Sequence, residues 1–279
     1  MTHPVLSAIN LALENTQEDG MRAHLGASVI GRACDREIWC GFRWATYKRH
    51  AGRILRLFNR GHREEERFVA WLRDAGISID PFDPKTGEQW RISAVNGHFG
   101  GSLDGIAWNV PGLEQFGLNF TTKILTEFKT HGDKSFKKLI AEGVKKSKPE
   151  HYSQMQTYMH HMRLPLALYM AINKNDDEIH AEFVVYDAAS AAMALGRADH
   201  IIHSAFPPPR ISNDPSWFAC RFCDHKATCH LRAPMQVNCR TCIFSSPVQG
   251  GQWYCEKWKD VIPLENQKKG CEQYVSISN

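Results

Sequence analysis

Two short segments of this 279-residue chain carry side chains that could do chemistry together: Gly101-Ser102-Leu103-Asp104-Gly105 and Leu125-Thr126-Glu127-Phe128-Lys129-Thr130. Side chains alternate sides along a strand, so an extended second segment puts Glu127 and Lys129 on one face and turns Phe128 to the core. Asp104, on a neighbouring strand, would reach the same face. Two carboxylates meeting at a strand edge repel unless a cation lies between them. A hard divalent ion such as Mg²⁺ takes this supply of carboxylates, waters and phosphate oxygens. It would lower the pKa of a bound water and stabilise charge building on a phosphate. Lys129 would orient or help deprotonate that water and neutralise the oxyanion. An E-x-K is also a common surface ion pair, and that reading stands beside the catalytic one.

The nine cysteines suggest a second kind of chemistry. Cys220-Arg221-Phe222-Cys223, followed by Cys229, has ligand-type spacing. Three thiolates want a fourth partner, and His225 and His230 offer nitrogen ligands if the metal is zinc. Cys239, Cys242, Cys255 and Cys271 read as a structural zinc knob, with Trp253, Tyr254, Trp258 and Tyr274 packed around it. So small a segment needs such a staple to hold together.

These groups must be positioned by regular elements. Residues 31–76 read as helical: Phe68, Trp71 and Leu72 share one face, and Gly76 is a stop. Strands follow at 90–95, 102–108 and 124–128, separated by Asn-Gly, Gly-Gly and Pro-Gly turns. Helices are expected at 135–143 and 149–162, with Pro149 suited to a first turn. Strands at 166–172 and 179–186 precede a helix at 188–204, ended by Pro207-Pro208-Pro209. Beyond Ser212 the chain is Cys-rich, with little periodicity. The order implies an α/β protein: a mixed central sheet flanked by helices, then a Cys-rich C-terminal metal-binding extension. Gln154 and Tyr158, one turn apart, share a helix face. They form either a polar exposed face with Tyr158 half buried, or a ligand contact.

In this order of motifs, over about the first 230 residues, the chain resembles the PD-(D/E)xK nuclease superfamily, in particular its RecB-type and lambda-exonuclease-type branches. Gly61 with Glu65 resembles the helical Gly-x-x-x-(Glu/His) element, Asp104 the acidic strand, Glu127-Phe128-Lys129 the E-x-K strand, and Gln154 with Tyr158 the Gln-x-x-x-Tyr helix. Leu103 stands where a proline often precedes the aspartate. The resemblance implies a restriction-endonuclease-like core. It also implies Mg²⁺ or Mn²⁺ ligation by Asp104, Glu127 and the Phe128 carbonyl, with Glu65 as an additional or water-mediated ligand. Lys129 is implied as the catalytic lysine, and Gln154 and Tyr158 as DNA or active-site contacts. Cys34, in Gly31-Arg32-Ala33-Cys34-Asp35-Arg36, resembles the lone early cysteine of iron–sulfur RecB-like nucleases, including CRISPR-associated and AddB-type members. That implies Cys34, Cys220, Cys223 and Cys229 around a [4Fe–4S] cluster, with Zn²⁺ the alternative. Cys40 is then the spare thiol: a buried small hydrophobe, or a rival ligand. The domain reading that follows is a nuclease domain at 1–235 closed by this cluster, and a four-cysteine zinc-knob tail at 236–279.

Lys134, Lys137, Lys138, Lys145, Lys146 and Lys148 lie between the E-x-K strand and the Gln/Tyr helix. They form either a solvated face or phosphate contacts, which set affinity without reading sequence. The formal net charge of +4 permits a polyanionic partner without demanding one. With 43% hydrophobic and 23% charged residues, the chain can bury an ordinary core. Its N-terminus lacks the basic start and apolar run of a secretory signal. Its longest apolar stretch, 164–172, is too short to cross a bilayer and is broken by Pro165. A cytoplasmic protein with reduced thiols is expected. The expected function is a divalent-metal-dependent deoxyribonuclease, an exonuclease on DNA ends in phage recombination or repair, working with a single-strand annealing protein. The alternatives are a DNA- or protein-binding module on a nuclease fold with little or no catalysis, and a zinc-finger regulator. The tail's lack of a recognition helix disfavours the last.

Overall fold

The computed structural model describes residues 3–47 and 49–277. The chain runs α1 (Pro4–Thr16), β1 (Leu25–Gly26), α2 (Asp35–Phe42), α3 (Gly52–Asp74), β2 (Ser78–Asp80), β3 (Arg91–Ala94), β4 (Phe99–Ser102), β5 (Gly105–Trp108) and β6 (Ile124–His131). It continues through α4 (Asp133–Ser147), α5 (Pro149–Met162), β7 (Leu166–Asn173), β8 (Ile179–Val185), α6 (Ala188–His203), α7 (Phe218–Arg221) and α8 (Lys226–His230). The last elements are β9 (Ser245–Pro247), β10 (Trp253–Cys255), β11 (Asp260–Ile262) and α9 (Leu264–Gln267). Two compact units divide the chain.

The first unit comprises residues 3–14, Ala51–Ile92 and Gly101–Ala192. Its five-stranded sheet has the order β2-β5-β6-β7-β8. β6 and β7 run parallel, with Glu127 opposite Tyr169 and Lys129 opposite Ala171, while the other pairings are antiparallel. The parallel pair needs a long return path, which α4 and α5 supply. Pro149 opens α5, where its missing N–H costs no helical bond. Arg163 ends it in the left-handed conformation at φ 55°. The two faces of β6 differ as strand alternation demands. On one, Phe128 stacks on Phe68 of α3, their ring centroids 5.0 Å apart, within a core that includes Leu72, Ile79, Leu113, Ile124 and Leu168. On the other, His131 shares the Tyr169 hydroxyl with His151 of α5. The mixed α/β sheet flanked by helices is as expected.

The second unit comprises Asn15–His50, Ser93–Gly100 and residues 193–277. In it β1 pairs in parallel with the start of β4, Leu25 opposite Phe99. β9, β10 and β11 form a small antiparallel sheet. The interior is polar as well as aromatic. Arg240 is fully buried, 3.6 Å from the Trp44 ring centroid, and it donates to the carbonyls of Phe42 and Ala23 and to Gln267.

Three local expectations need correction. The helix expected at 31–76 is two helices, separated by a segment in which Trp44 takes a positive φ of 53°. The single strand expected at 102–108 is broken at Leu103 and Asp104, because β4 hydrogen-bonds to β1 and β5 to β2 and β6. Asp104 therefore sits in the bend before β5. The helix expected at 135–143 is longer, running from Asp133 to Ser147 through a kink at Gly143, whose φ is 70°. Among the described residues no helix is long and apolar enough to cross a membrane.

Candidate active site

The side chain of Asp104 turns back onto β6, where its Oδ2 accepts the Phe128 backbone N–H at 2.7 Å. The bend thus sets Asp104 beside the E-x-K strand. Lys129 Nζ ion-pairs with Glu127 Oε1, lies 3.8 Å from Asp104 Oδ2, and donates to the Phe128 carbonyl at 3.0 Å. Glu127 is fully buried and Asp104 nearly so, whereas a quarter of the Lys129 side chain meets solvent. Glu127, Phe128, Lys129 and Asp104 therefore converge, and the surface ion pair on an exposed strand is not what the chain builds.

Of the three consecutive glutamates on α3, Glu64 is buried and committed to Arg67 at 2.8 Å. Glu65 faces the acidic centre: burial, then the Asp104 charge, pushes its carboxyl up from the ordinary value, against the pull of His62 and Lys129. Glu65 and Asp104 line one cavity of about 440 Å³, and Glu65, Phe128 and Lys129 line another of about 160 Å³. A side chain at Gly61 would meet nothing within 4 Å, so packing within the chain does not explain that glycine.

The electrostatics are those of a site short of positive charge. Burial pushes Glu127 up to about 8, with Asp104 and Glu65 adding to the rise and Lys129 opposing it. Glu127 Oε1 pairs with the Lys129 ammonium group, and Oε2 is buried with no hydrogen-bond partner. A buried carboxylate left so is costly. Burial disfavours the Lys129 charge, but Glu127 and Asp104 outweigh that and hold the lysine above its ordinary range. A buried carboxylate with one unpartnered oxygen, within electrostatic reach of Asp104 and Glu65, is the oxygen chemistry a hard divalent cation takes.

Gln154 and Tyr158 are buried, not exposed; the Gln154 amide donates to the Tyr158 hydroxyl at 3.3 Å. A Cβ at Gly101 would collide with that hydroxyl, so the glycine at the head of the Gly-Ser-Leu-Asp segment lets Tyr158 approach. Among the lysines, Lys134, Lys137, Lys138, Lys145 and Lys146 are exposed. Lys137 pairs with Asp133, Lys138 with Glu142, and Lys145 with Asp187. Lys148 turns inward and donates to Ser135 Oγ at 2.6 Å.

The sequence reading missed a polar cluster on the Glu127 face: His131, His151 and Tyr169, joined by hydrogen bonds of 3.0 and 2.9 Å through the Tyr169 hydroxyl. Two signals for it exist. His131 continues the 127, 129 alternation, and His151 lies nearly one helical turn before Gln154.

In the second unit Cys34, Cys220, Cys223 and Cys229 line one cavity of about 20 Å³, with Arg36, Glu37, His225 and His230 among its other walls. Burial, then Glu37 and Cys34, pushes Cys223 up to about 11, against a backbone hydrogen bond. Cys40 is pushed up to about 12 by burial and by the charges of Cys229, Cys223 and Cys34, so it lies within electrostatic reach of the set. His225 is engaged with Thr46 Oγ1 at 2.7 Å. Cys239, Cys242, Cys255 and Cys271 line a separate cavity of about 360 Å³ with Trp258 and Tyr274. Burial, then the charges of Cys271, Cys242 and Cys255, pushes Cys239 up to about 11. Trp253 instead packs inward against Phe42, fully buried. As the side chains stand, no group of three or more His, Cys, Asp or Glu among the described residues is placed to hold a metal ion.

Fold and site together define a mixed α/β protein with a buried acidic–lysine centre. No protein-family model and no curated protein matches the chain. Among solved structures it is similar to the crystal structure of SSO0001, with TM-score 0.46 and 13% identity over 82% of this chain and 98% of that one. It is also similar to LHK-Exo in complex with dAMP, with TM-score 0.41 and 16% identity over 70% of this chain and 90% of that one. The alkaline exonuclease LHK-Exo from Laribacter hongkongensis gives TM-score 0.40 and 15% identity, over the same shares of the two chains. These are distant likenesses, and the functional reading rests on the geometry of the site.

Proposed function

We propose that this chain is a divalent-metal-dependent deoxyribonuclease that hydrolyses phosphodiester bonds at DNA ends. The observation that carries the proposal is the meeting of Asp104, Glu127 and Lys129, with Glu127 fully buried, paired to Lys129 through one oxygen and unpartnered at the other. Asp104, Glu127, the Phe128 carbonyl and Glu65 would hold Mg²⁺ or Mn²⁺. When bound, such an ion acidifies water and offsets charge building on the phosphoryl group.

The chain's own residues do the rest. Asp104, tied to the Phe128 N–H, fixes the distance between the bend and β6. Glu127 and Asp104 hold Lys129 protonated and in place, so that a fixed ammonium group faces the developing oxyanion at no reorganisation cost. Phe128, stacked on Phe68, locks the strand register that sets Glu127 and Lys129 on their face. Gln154 and Tyr158 would position the DNA strand, and the exposed lysines of α4 would meet phosphates.

The cysteines extend the proposal. Cys34, Cys220, Cys223 and Cys229 would hold a [4Fe–4S] cluster or Zn²⁺, and Cys239, Cys242, Cys255 and Cys271 a zinc ion; thiolates suit both metals. In this reading residues 1–235 are the nuclease domain and 236–279 the tail. The protein would work in the cytoplasm, in recombination or repair, beside a single-strand annealing protein.

Incubation with linear and closed-circular DNA, with Mg²⁺, Mn²⁺ or chelator, tests the proposal. It predicts metal-dependent loss of the linear form and survival of the circle. Equal cutting of both would refute action at ends, and cutting in chelator would refute the metal requirement.

A further inference from the structure

The buried cluster beside Lys129 has a direction. Lys148, which can only donate, gives hydrogen bonds to Ser135 Oγ at 2.6 Å and to the Ser135 carbonyl at 3.1 Å. The Ser135 hydroxyl hydrogen is then free for His131 Nδ1, 3.4 Å away, in one of the two arrangements these contacts allow. With Nδ1 accepting, His131 carries its proton on Nε2 and donates to the Tyr169 hydroxyl at 3.0 Å. The Tyr169 hydrogen then goes to His151 Nδ1 at 2.9 Å. His151 accepts there, so its proton sits on Nε2. In that arrangement every link donates the same way, from the ammonium group of Lys148 to the imidazole of His151.

Both imidazoles are biased to the neutral form. Burial, then the charges of Lys148 and Lys129, pushes His131 down to about 4. Burial, then the Lys129 charge ahead of those of His131 and Lys148, pushes His151 down to about 2. The rings lie nearly parallel, with centroids 5.7 Å apart and 22° between planes. His151 is only partly buried, it sits on α5 one residue short of a full turn from Gln154, and Lys129 is the strongest charge acting on it.

We infer that His151 is a neutral hydrogen-bond donor, through Nε2–H, to a phosphodiester oxygen of the DNA strand bound beside Lys129, with its tautomer fixed by Tyr169. Tyr169, which stands opposite Glu127 in the β6–β7 register, is a positioning residue. The inference rests on the nuclease reading and adds a phosphate contact that carries no charge. A neutral donor contributes directional affinity but releases no counterion, whereas each lysine on the DNA path changes the salt dependence of binding.

Binding of fluorescein-labelled linear DNA to the full chain in chelator, over a salt series, tests this without any cleavage. His151→Phe should weaken binding roughly tenfold or more, the loss of one hydrogen bond to a charged group, with the slope of log Kd against log salt unchanged. His151→Gln, which keeps a donor, should bind near wild type. Tyr169→Phe, which removes one hydroxyl, should weaken binding several-fold, and it stands in if His151→Phe fails to fold. Wild-type affinity in both His151→Phe and Tyr169→Phe overturns this inference alone, and so does a salt slope reduced by about one in His151→Phe. Failure of the wild-type chain to bind DNA overturns the nuclease reading, and this inference with it.

Discussion

The carboxylate of Asp104 accepts the backbone N–H of Phe128 at 2.7 Å, fastening the bend before β5 to the strand that carries Glu127 and Lys129. One side chain therefore does two jobs, one structural and one chemical, and substitutions can separate them. Asp104→Asn keeps an acceptor oxygen and should keep stability, yet lose cleavage by about two orders of magnitude or more. Asp104→Ala should lose cleavage equally and also about 1–3 kcal/mol of stability, because the Phe128 N–H is left without its partner. Denaturant melts beside cleavage rates check both.

The Glu127 carboxyl gives the metal-free protein a pH signature. Its folded pKa, pushed up to about 8 by burial, lies above the ordinary value of 4.5. Between those values the folded chain holds a proton that the unfolded chain has released, so this group's contribution to stability falls as pH rises. In chelator, the stability difference between Glu127→Gln and wild type should grow in favour of the variant from pH 5 to pH 8. A difference independent of pH would refute a buried Glu127 with a raised pKa.

Gly101 and Tyr158 are coupled by space. A Cβ at Gly101 would strike the Tyr158 hydroxyl, so Gly101→Ala should destabilise by about 1–3 kcal/mol, the usual penalty of overpacking. Adding Tyr158→Phe should return part of that loss. A double-mutant cycle with no coupling would contradict the contact.

The cysteines predict metal content. Protein prepared anaerobically should be brown, with about four irons per chain lost together in Cys34→Ser. It should also carry about one zinc, lost in Cys242→Ser. Colourless protein holding only zinc would move the first set to the zinc alternative, and metal-free protein would remove both.

Much of the first unit was legible in the sequence, because its signals are local. The alternation around Phe128, Pro149 at a helix start and the Asn-rich turn before β8 each act within a few residues. What was illegible depends on distant partners. Asp104 reads as part of a strand, since nothing nearby reveals that β4 and β5 pair with different strands. Of Glu64, Glu65 and Glu66, the sequence could not tell that Arg67 claims the first. Whether Gln154 and Tyr158 form an exposed polar face or a contact was left open by the sequence, because the glycine that admits the Tyr158 hydroxyl, Gly101, is remote in sequence. His131, His151 and Tyr169 meet only when β6, α5 and β7 close on one another.

Cleavage of linear duplex DNA in Mg²⁺, followed under single-turnover conditions for wild type and Lys129→Ala, tests the acidic–lysine centre most directly. The account predicts a rate loss of about a hundredfold or more in a variant that still binds DNA. A Lys129→Ala rate equal to wild type would contradict it.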